Sequence, residues 1–279
     1  MNLDDILNSH RTRRPVVMGI LNVTPDSFSD GGRFLDPSAA IEQARQLVAQ
    51  GADILDIGAE STRPGSRRVS AQEQIARLGP VLPALADMGI AISVDTTRSQ
   101  VAQFALDAGT AIINDISAGQ DDQRMLPLVA SRGAAIILMH MLGQPATMQA
   151  APHYADVTAE VKLFLAGRMS AARDAGVAQE RIILDPGIGF GKTTQHNLQL
   201  LAQIDQLCQM GQPVLVGTSR KRFIGELTGE ANPADRVHAT VATCLESYFR
   251  GATIFRVHDV APLKAALAVA DAIRAAARN

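Results

Sequence analysis

The chain has 279 residues, of which 47% are hydrophobic and 19% charged, with a formal net charge of −2. This is enough apolar material for a large core and too little charge for disorder, and with no basic excess the chain lacks the electrostatic footprint of a nucleic-acid or anionic-membrane binder. Trp is absent and only two Tyr occur, which argues against an aromatic platform for single strands.

Met1–Pro15 has no apolar run of signal-peptide type, and nothing approaches the roughly 20 apolar residues of a transmembrane helix, so a cytoplasmic protein is expected. The two cysteines, Cys208 and Cys244, form no CxxC pair and read as reduced thiols packed in helices.

In chain order, short apolar and β-branched runs fall at Val16–Leu21, Ile54–Ile57, Ile90–Val94, Ala111–Ile116, Ala134–Met139, Arg181–Leu184, Pro213–Val216 and Thr253–Val257. Their near-continuous hydrophobicity suits parallel strands buried on both faces. Between them, helical periodicity is evident at Pro37–Gln50, Ser99–Ala108, Asn197–Met210 and Pro262–Arg278. Gly51, Gly89, Gly109, Gly133, Gly176, Gly211 and Gly251 each precede a strand, where a helix C-terminal cap is expected.

Strand–helix alternation repeated eight times predicts a single-domain (β/α)8 TIM barrel over residues 1–279, with its core at about 15–278. The stretches Thr24–Asp36 and Glu60–Ser70 are polar and rich in Gly, Pro and Ser, and read as long mobile loops after strands 1 and 2.

Barrels of this kind build their sites at the C-terminal strand ends. Reading those ends gives Asn22, Gly58 to Glu60, Asp95, Asn114 with Asp115, His140, Asp185, Gly217 with Ser219 and Lys221, and Arg256 with His258. Solvated loops make any one such residue unremarkable, but carboxylates and amides recurring at one structural level point to a site. Its cations come from the last two units, where barrels often hold phosphate. A hydrogen-bonding heterocycle carrying a phosphate group satisfies both halves of the ring.

The run Gly187-Ile188-Gly189-Phe190-Gly191-Lys192-Thr193 imitates a P-loop, but Pro186 stands where that motif needs its first Gly. Its glycines read as room for a flat ligand, and Lys192 as solvated. His140 has no second His or Cys at ligand spacing and reads as packed or hydrogen-bonded. His10, His153, His196 and His238 read as surface or helix positions without partners. Asp56 and Asp115 are as suited to fixing loops as to touching a ligand.

Met18–Gly32 and Gly51–Gly65 resemble the two signatures of dihydropteroate synthases. Ser93–Thr96, Asn114–Ser117, Asp185–Lys192, Ser219–Lys221 and Arg256–Val260 extend the resemblance to almost the whole chain. Departures are Ala59, where Gly is common, and Leu142 and Ala146, where the family often has Gln and Arg.

The resemblance implies joining of 4-aminobenzoate to (7,8-dihydropterin-6-yl)methyl diphosphate, with Mg2+ and usually a homodimer. It assigns the pterin to Asp95, Asn114, Met139, Asp185, Gly217, Lys221 and Arg256, and the diphosphate to Asn22, Thr62, Arg256 and His258. Asn22 is the implied metal ligand. Thr62, Arg63, Pro64, Phe190 and Ser219 become the 4-aminobenzoate pocket, open to sulfonamides as inhibitors, and Phe28 and Asp30 close over it. Asp95, Lys221, Arg256 and His258 are the implied catalytic set.

Two alternatives share part of this pattern. A methyltransferase barrel acting on a reduced folate would share Asp95, Asn114 and Asp185 but would not need Thr62–Gly65, Lys221 or the Arg256/His258 pair. A silent pterin-binding protein would be expected to have lost Asp95, Asn22 or a loop.

Overall fold

The computed structural model describes residues 2–24, 36–61, 66 and 68–276. Phe28, Asp30, Thr62, Arg63 and Pro64 lie outside the described residues, as does most of the first long loop and part of the second.

Eight parallel strands form the sheet: β1 Val16–Asn22, β2 Ile54–Gly58, β3 Ala91–Asp95, β4 Ile112–Asp115, β5 Ala135–Met139, β6 Ile182–Asp185, β7 Leu215–Val216 and β8 Ile254–Val257. Consecutive strands are neighbours and β1 pairs with β8. A bridge between Leu184 and Val214 joins β6 to β7 and closes the barrel. The regular ladder of β7 is shorter than the predicted Pro213–Val216, because Pro213 has no N–H to give and Val214 makes only that isolated bridge.

Each strand alternates between two cores. Val17, Leu21, Leu55, Ile57, Val94, Ile136 and Leu184 face the helices in an outer core. Val16, Met18, Ile54, Ile112, Ile137, Ile183, Leu215 and Ile254 fill the barrel interior. The interior core also takes in Ile6 and Leu7, from a short helix at Leu3–Leu7. The sequence places the barrel core from about residue 15, whereas this segment plugs the N-terminal end of the barrel. Burying one such side chain contributes roughly 1.5–3 kcal/mol.

Helices Pro37–Ala49 and Ser99–Asp107 match expectation. The last helix starts earlier than predicted, at Val260; Pro262 stays in its first turn, where no intrahelical N–H bond is lost. The segment predicted as one helix over Asn197–Met210 is two, Thr194–Ala202 and Asp205–Cys208, broken at Gln203. His196 is not partnerless: it forms a reciprocal cap with Thr193, and His10 pairs with the Leu7 carbonyl. The seven glycines ahead of strands all have positive φ, between 59° and 114°.

Candidate active site

The period-2 alternation that fills the interior also builds the site. On each strand, the positions in step with the interior residues Met18, Ile54, Ile112, Ile137, Ile183, Leu215 and Ile254 end at the C-terminal mouth. They arrive there as Asn22, Gly58, Asn114, Met139, Asp185, Gly217 and Arg256. Register joins them into a row: Asn22 is level with Gly58, Gly58 with Asp95, and Asp95 with Asn114. Met139 is level with Asp185. A Cβ on Gly58 would lie 3.3 Å from Asn22 Oδ1, so Gly58 leaves room for that amide.

Below this row lies Asp56, fully buried and at an inward position of β2. Its Oδ2 accepts from Arg256 Nε at 2.6 Å and from Asn114 Nδ2 at 3.2 Å. Arg256 Nη2 reaches Asp95 Oδ2 at 3.3 Å. Asp56 thus aims both Arg256 and Asn114, a role the sequence left undecided; the signal was its inward parity in an otherwise apolar strand. Asp56 Oδ1 and Ser93 Oγ are buried without a protein partner, so this floor keeps polar capacity of its own.

Burial pushes Asp95 above the ordinary carboxylate range, Arg256 opposes this, and Asp56 adds to it. Burial also works against the Arg256 charge, but Asp56 and Asp95 outweigh it and hold the guanidinium above its ordinary value. The two partners differ because the closer contact of Arg256 goes to Asp56, leaving Asp95 only a long one. Asp115 fixes a loop instead. Its oxygens accept from Ser117 N–H and Oγ–H and from Gly119 N–H, and burial pushes it up to about 6.

The turn after β6 packs against Lys221, whose ammonium bonds the Ile188 carbonyl and lies 4.3 Å from the centre of the Phe190 ring. Two of the glycines there make room for the protein's own backbone. A Cβ on Gly187 would fall 1.9 Å from the His140 carbonyl oxygen, and one on Gly191 2.4 Å from that of Leu142, both at positive φ. Asp185 Oδ1 accepts from Gly187 N–H at 2.7 Å, which fixes the carboxylate plane. Lys192, expected in solvent, is buried within this turn.

The ends of β7 and β8 are clamped together. Ser219 Oγ pairs with His258 Nδ1 at 2.9 Å and accepts from His258 N–H at 3.1 Å. Arg220, a non-glycine residue at φ 60°, grips Asp259 with two bonds of 3.0 and 2.7 Å. Such a conformation costs roughly 1–2 kcal/mol and persists because that fork and Arg236, which donates to the Arg220 carbonyl, hold it. These bonds tie the segment after β7, which carries Ser219, to the end of β8, which carries His258.

A pH dependence follows. Asp95 takes on its negative charge only above the ordinary carboxylate range, and a kcat/KM that uses this charge is expected to rise with pH there. Burial brings Lys221 down to about 8, against the pull of Asp185, so kcat/KM falls again as that ammonium is lost. A bell-shaped profile is expected, and an alkaline limb near the ordinary lysine value of about 10.4 would contradict the burial of Lys221.

The chain matches the family described as pterin binding enzymes over residues 18–258. A dihydropteroate synthase of Synechocystis sp. is 48% identical over 262 residues, covering 94% of this chain and 91% of the relative. A solved dihydropteroate synthase of Xanthomonas albilineans with 4-aminobenzoic acid is similar at TM-score 0.88 and 48% identity, covering 94% of each chain. A Yersinia pestis dihydropteroate synthase solved as a sulfonamide drug complex is similar at TM-score 0.89 and 42% identity, covering 94% of this chain and 95% of that one. A fold of eight parallel strands, a mouth of amides, carboxylates and cations, and likeness at this level over nearly the whole length leave one assignment: the chain belongs to the pterin-binding enzyme family and, within it, to the dihydropteroate synthases.

Proposed function

We propose that the barrel mouth condenses (7,8-dihydropterin-6-yl)methyl diphosphate with 4-aminobenzoate to give 7,8-dihydropteroate and diphosphate. The observation that carries this is the inward row of Asn22, Asp95, Asn114 and Asp185, facing Arg256 and Lys221 at one end of one barrel.

Each half of the substrate finds complementary chemistry. A carboxylate accepts the ring N–H and the exocyclic amine of a pterin together, which suits Asp185. Asn114 supplies a donor and an acceptor, and Lys221 donates to the pterin carbonyl. Arg256 and His258 suit the diphosphate.

The C–O bond to diphosphate breaks first and its electron pair leaves with the diphosphate. The resulting cation is spread over the pterin ring, and Asp95 stabilises it from a buried position. The aniline nitrogen then supplies the pair for the new C–N bond and loses a proton. No nucleophilic side chain takes part. Phe190 and Ser219, with Thr62, Arg63 and Pro64, hold the 4-aminobenzoate.

Among the described residues no group of three or more His, Cys, Asp or Glu side chains could cage a metal ion. Asn22 offers a single amide oxygen, which fits Mg2+, an ion that keeps several waters and takes its other oxygens from phosphate. When bound, Mg2+ would supply positive charge to the leaving diphosphate. A homodimer working in the cytoplasm belongs to the same reading, on the strength of the family resemblance.

Two measurements test the two halves. Asp185→Asn is expected to weaken pterin binding by about 1.5–3 kcal/mol for each charged hydrogen bond lost; unchanged affinity by calorimetry would take Asp185 out of the pterin site. A sulfonamide is expected to compete with 4-aminobenzoate in initial-rate assays, and one no better than an unrelated aniline would remove that pocket from the reading.

A further inference from the structure

Lys192 takes no part in the chemistry above, yet it is among the largest fully buried side chains in the chain. Its ammonium has no carboxylate at hydrogen-bond distance among the described residues. Instead it meets His140 Nδ1 at 2.9 Å, the Gly187 carbonyl at 3.0 Å and the Phe190 carbonyl at 3.0 Å, with the His140 carbonyl further off at 3.4 Å.

The amine thus pairs with two carbonyl acceptors and one imidazole nitrogen at close range. Burial, with the Lys192 charge adding to it, drives His140 down to about 3, so the imidazole is neutral. Burial also draws Lys192 well below its ordinary value; Asp185 opposes this and Lys221 adds to it. Burying a polar amine is costly unless its hydrogen-bonding groups are paired, and the two carbonyls and the imidazole pair this one.

The two carbonyls it draws in flank Phe190. The rest of the same turn is pinned from outside: Gly187 N–H by Asp185, Gly189 N–H by Asn197, the Gly189 carbonyl by Gln149 and the Gly191 carbonyl by the Tyr154 hydroxyl. Lys192 supplies the inner fixing point. The Phe190 ring and the Ile188 carbonyl of this turn are both in contact with Lys221.

We propose that Lys192 is a positioning residue of the active site. Its amine gathers the Gly187 and Phe190 carbonyls around itself and so sets Phe190 and Lys221 for the substrates. This rests on the reading that Phe190 and Lys221 line the substrate pocket. It assigns Lys192 a role that a solvated lysine could not fill.

Lys192→Met keeps the length of the side chain and removes its donors. Initial rates against 4-aminobenzoate, at saturating dihydropterin diphosphate, would be measured for the wild type, Lys192→Met, Phe190→Ala and the double variant. Lys192→Met is expected to raise KM for 4-aminobenzoate about tenfold, with a smaller fall in kcat, since a misplacement of one ångström can cost up to about 10²-fold.

The double variant is expected to be no worse than the poorer single one, because both changes act through one turn. Losses that multiply, or a Lys192→Met enzyme within twofold of wild type, would overturn the proposal. Should Lys192→Met fail to fold, His140→Phe keeps a ring against Tyr154 and Phe164 and removes the imidazole nitrogens, Nδ1 and its contact with Lys192 included. It should raise the same KM severalfold, and an unchanged KM would count against the proposal. A wild-type enzyme that forms no dihydropteroate would remove the functional reading and this proposal with it.

Discussion

Asp95→Asn is expected to lower kcat by about 10²–10³-fold while the barrel stays folded. The substitution keeps the shape of a residue that is level with Gly58 on one side and Asn114 on the other, so the row proposed to bind the pterin is preserved. What it removes is the negative charge proposed to face the cation formed when diphosphate departs. Burial sharpens that charge, because a carboxylate screened from water acts at short range in a low dielectric.

The same burial costs something, seen in the upward shift of the Asp95 carboxyl. Arg256 limits that cost and keeps the ionised form within reach. Single-turnover rates with both substrates saturating would isolate the chemical step, and the acid limb of the pH profile should disappear in the same variant. A kcat within threefold of wild type would mean that Asp95 reads the pterin without stabilising the cation.

Arg256→Met is expected to destabilise the fold by about 3–5 kcal/mol as well as to abolish turnover. Most site residues at a barrel mouth can be changed cheaply, but this one also neutralises Asp56, which is completely buried and accepts from Arg256 at 2.6 Å. Remove the guanidinium and the carboxylate is left with the Asn114 amide and one orphan oxygen.

Denaturant unfolding of the variant would show the loss. Adding Asp56→Asn to it should recover much of the stability and none of the activity, since the second change removes the stranded charge. Equal stability of Arg256→Met and wild type would show that Asp56 does not depend on its partner.

The barrel was legible because its signals are local. Buried parallel strands read as apolar runs, and a glycine ahead of every strand after the first marks the helix ends; both depend on a few neighbouring residues. The site was legible for a related reason: once strands are placed, their last polar residues fall on one rim, and period-2 alternation carries Asn22, Asn114, Asp185 and Arg256 inward together.

What was not legible depends on contacts far apart in sequence. Lys192 lies next to Thr193 in a polar stretch, and its burial comes from His140 on another strand end. Asp56 looks like any carboxylate until Arg256, 200 positions away, arrives beside it. The plug made by Ile6 and Leu7 is a single helical turn flanked by acidic residues, too short for periodicity to reveal that it covers the barrel floor.

The most direct test is a product assay on the purified protein. It would receive the dihydropterin diphosphate and 4-aminobenzoate with and without magnesium, and chromatography would follow dihydropteroate while diphosphate release is measured in parallel. The account predicts both products in equal amounts and dependent on magnesium. Tight pterin binding with neither product would contradict it, leaving a pterin-binding barrel and withdrawing the catalytic roles given to Asp95, Lys221, Arg256 and His258.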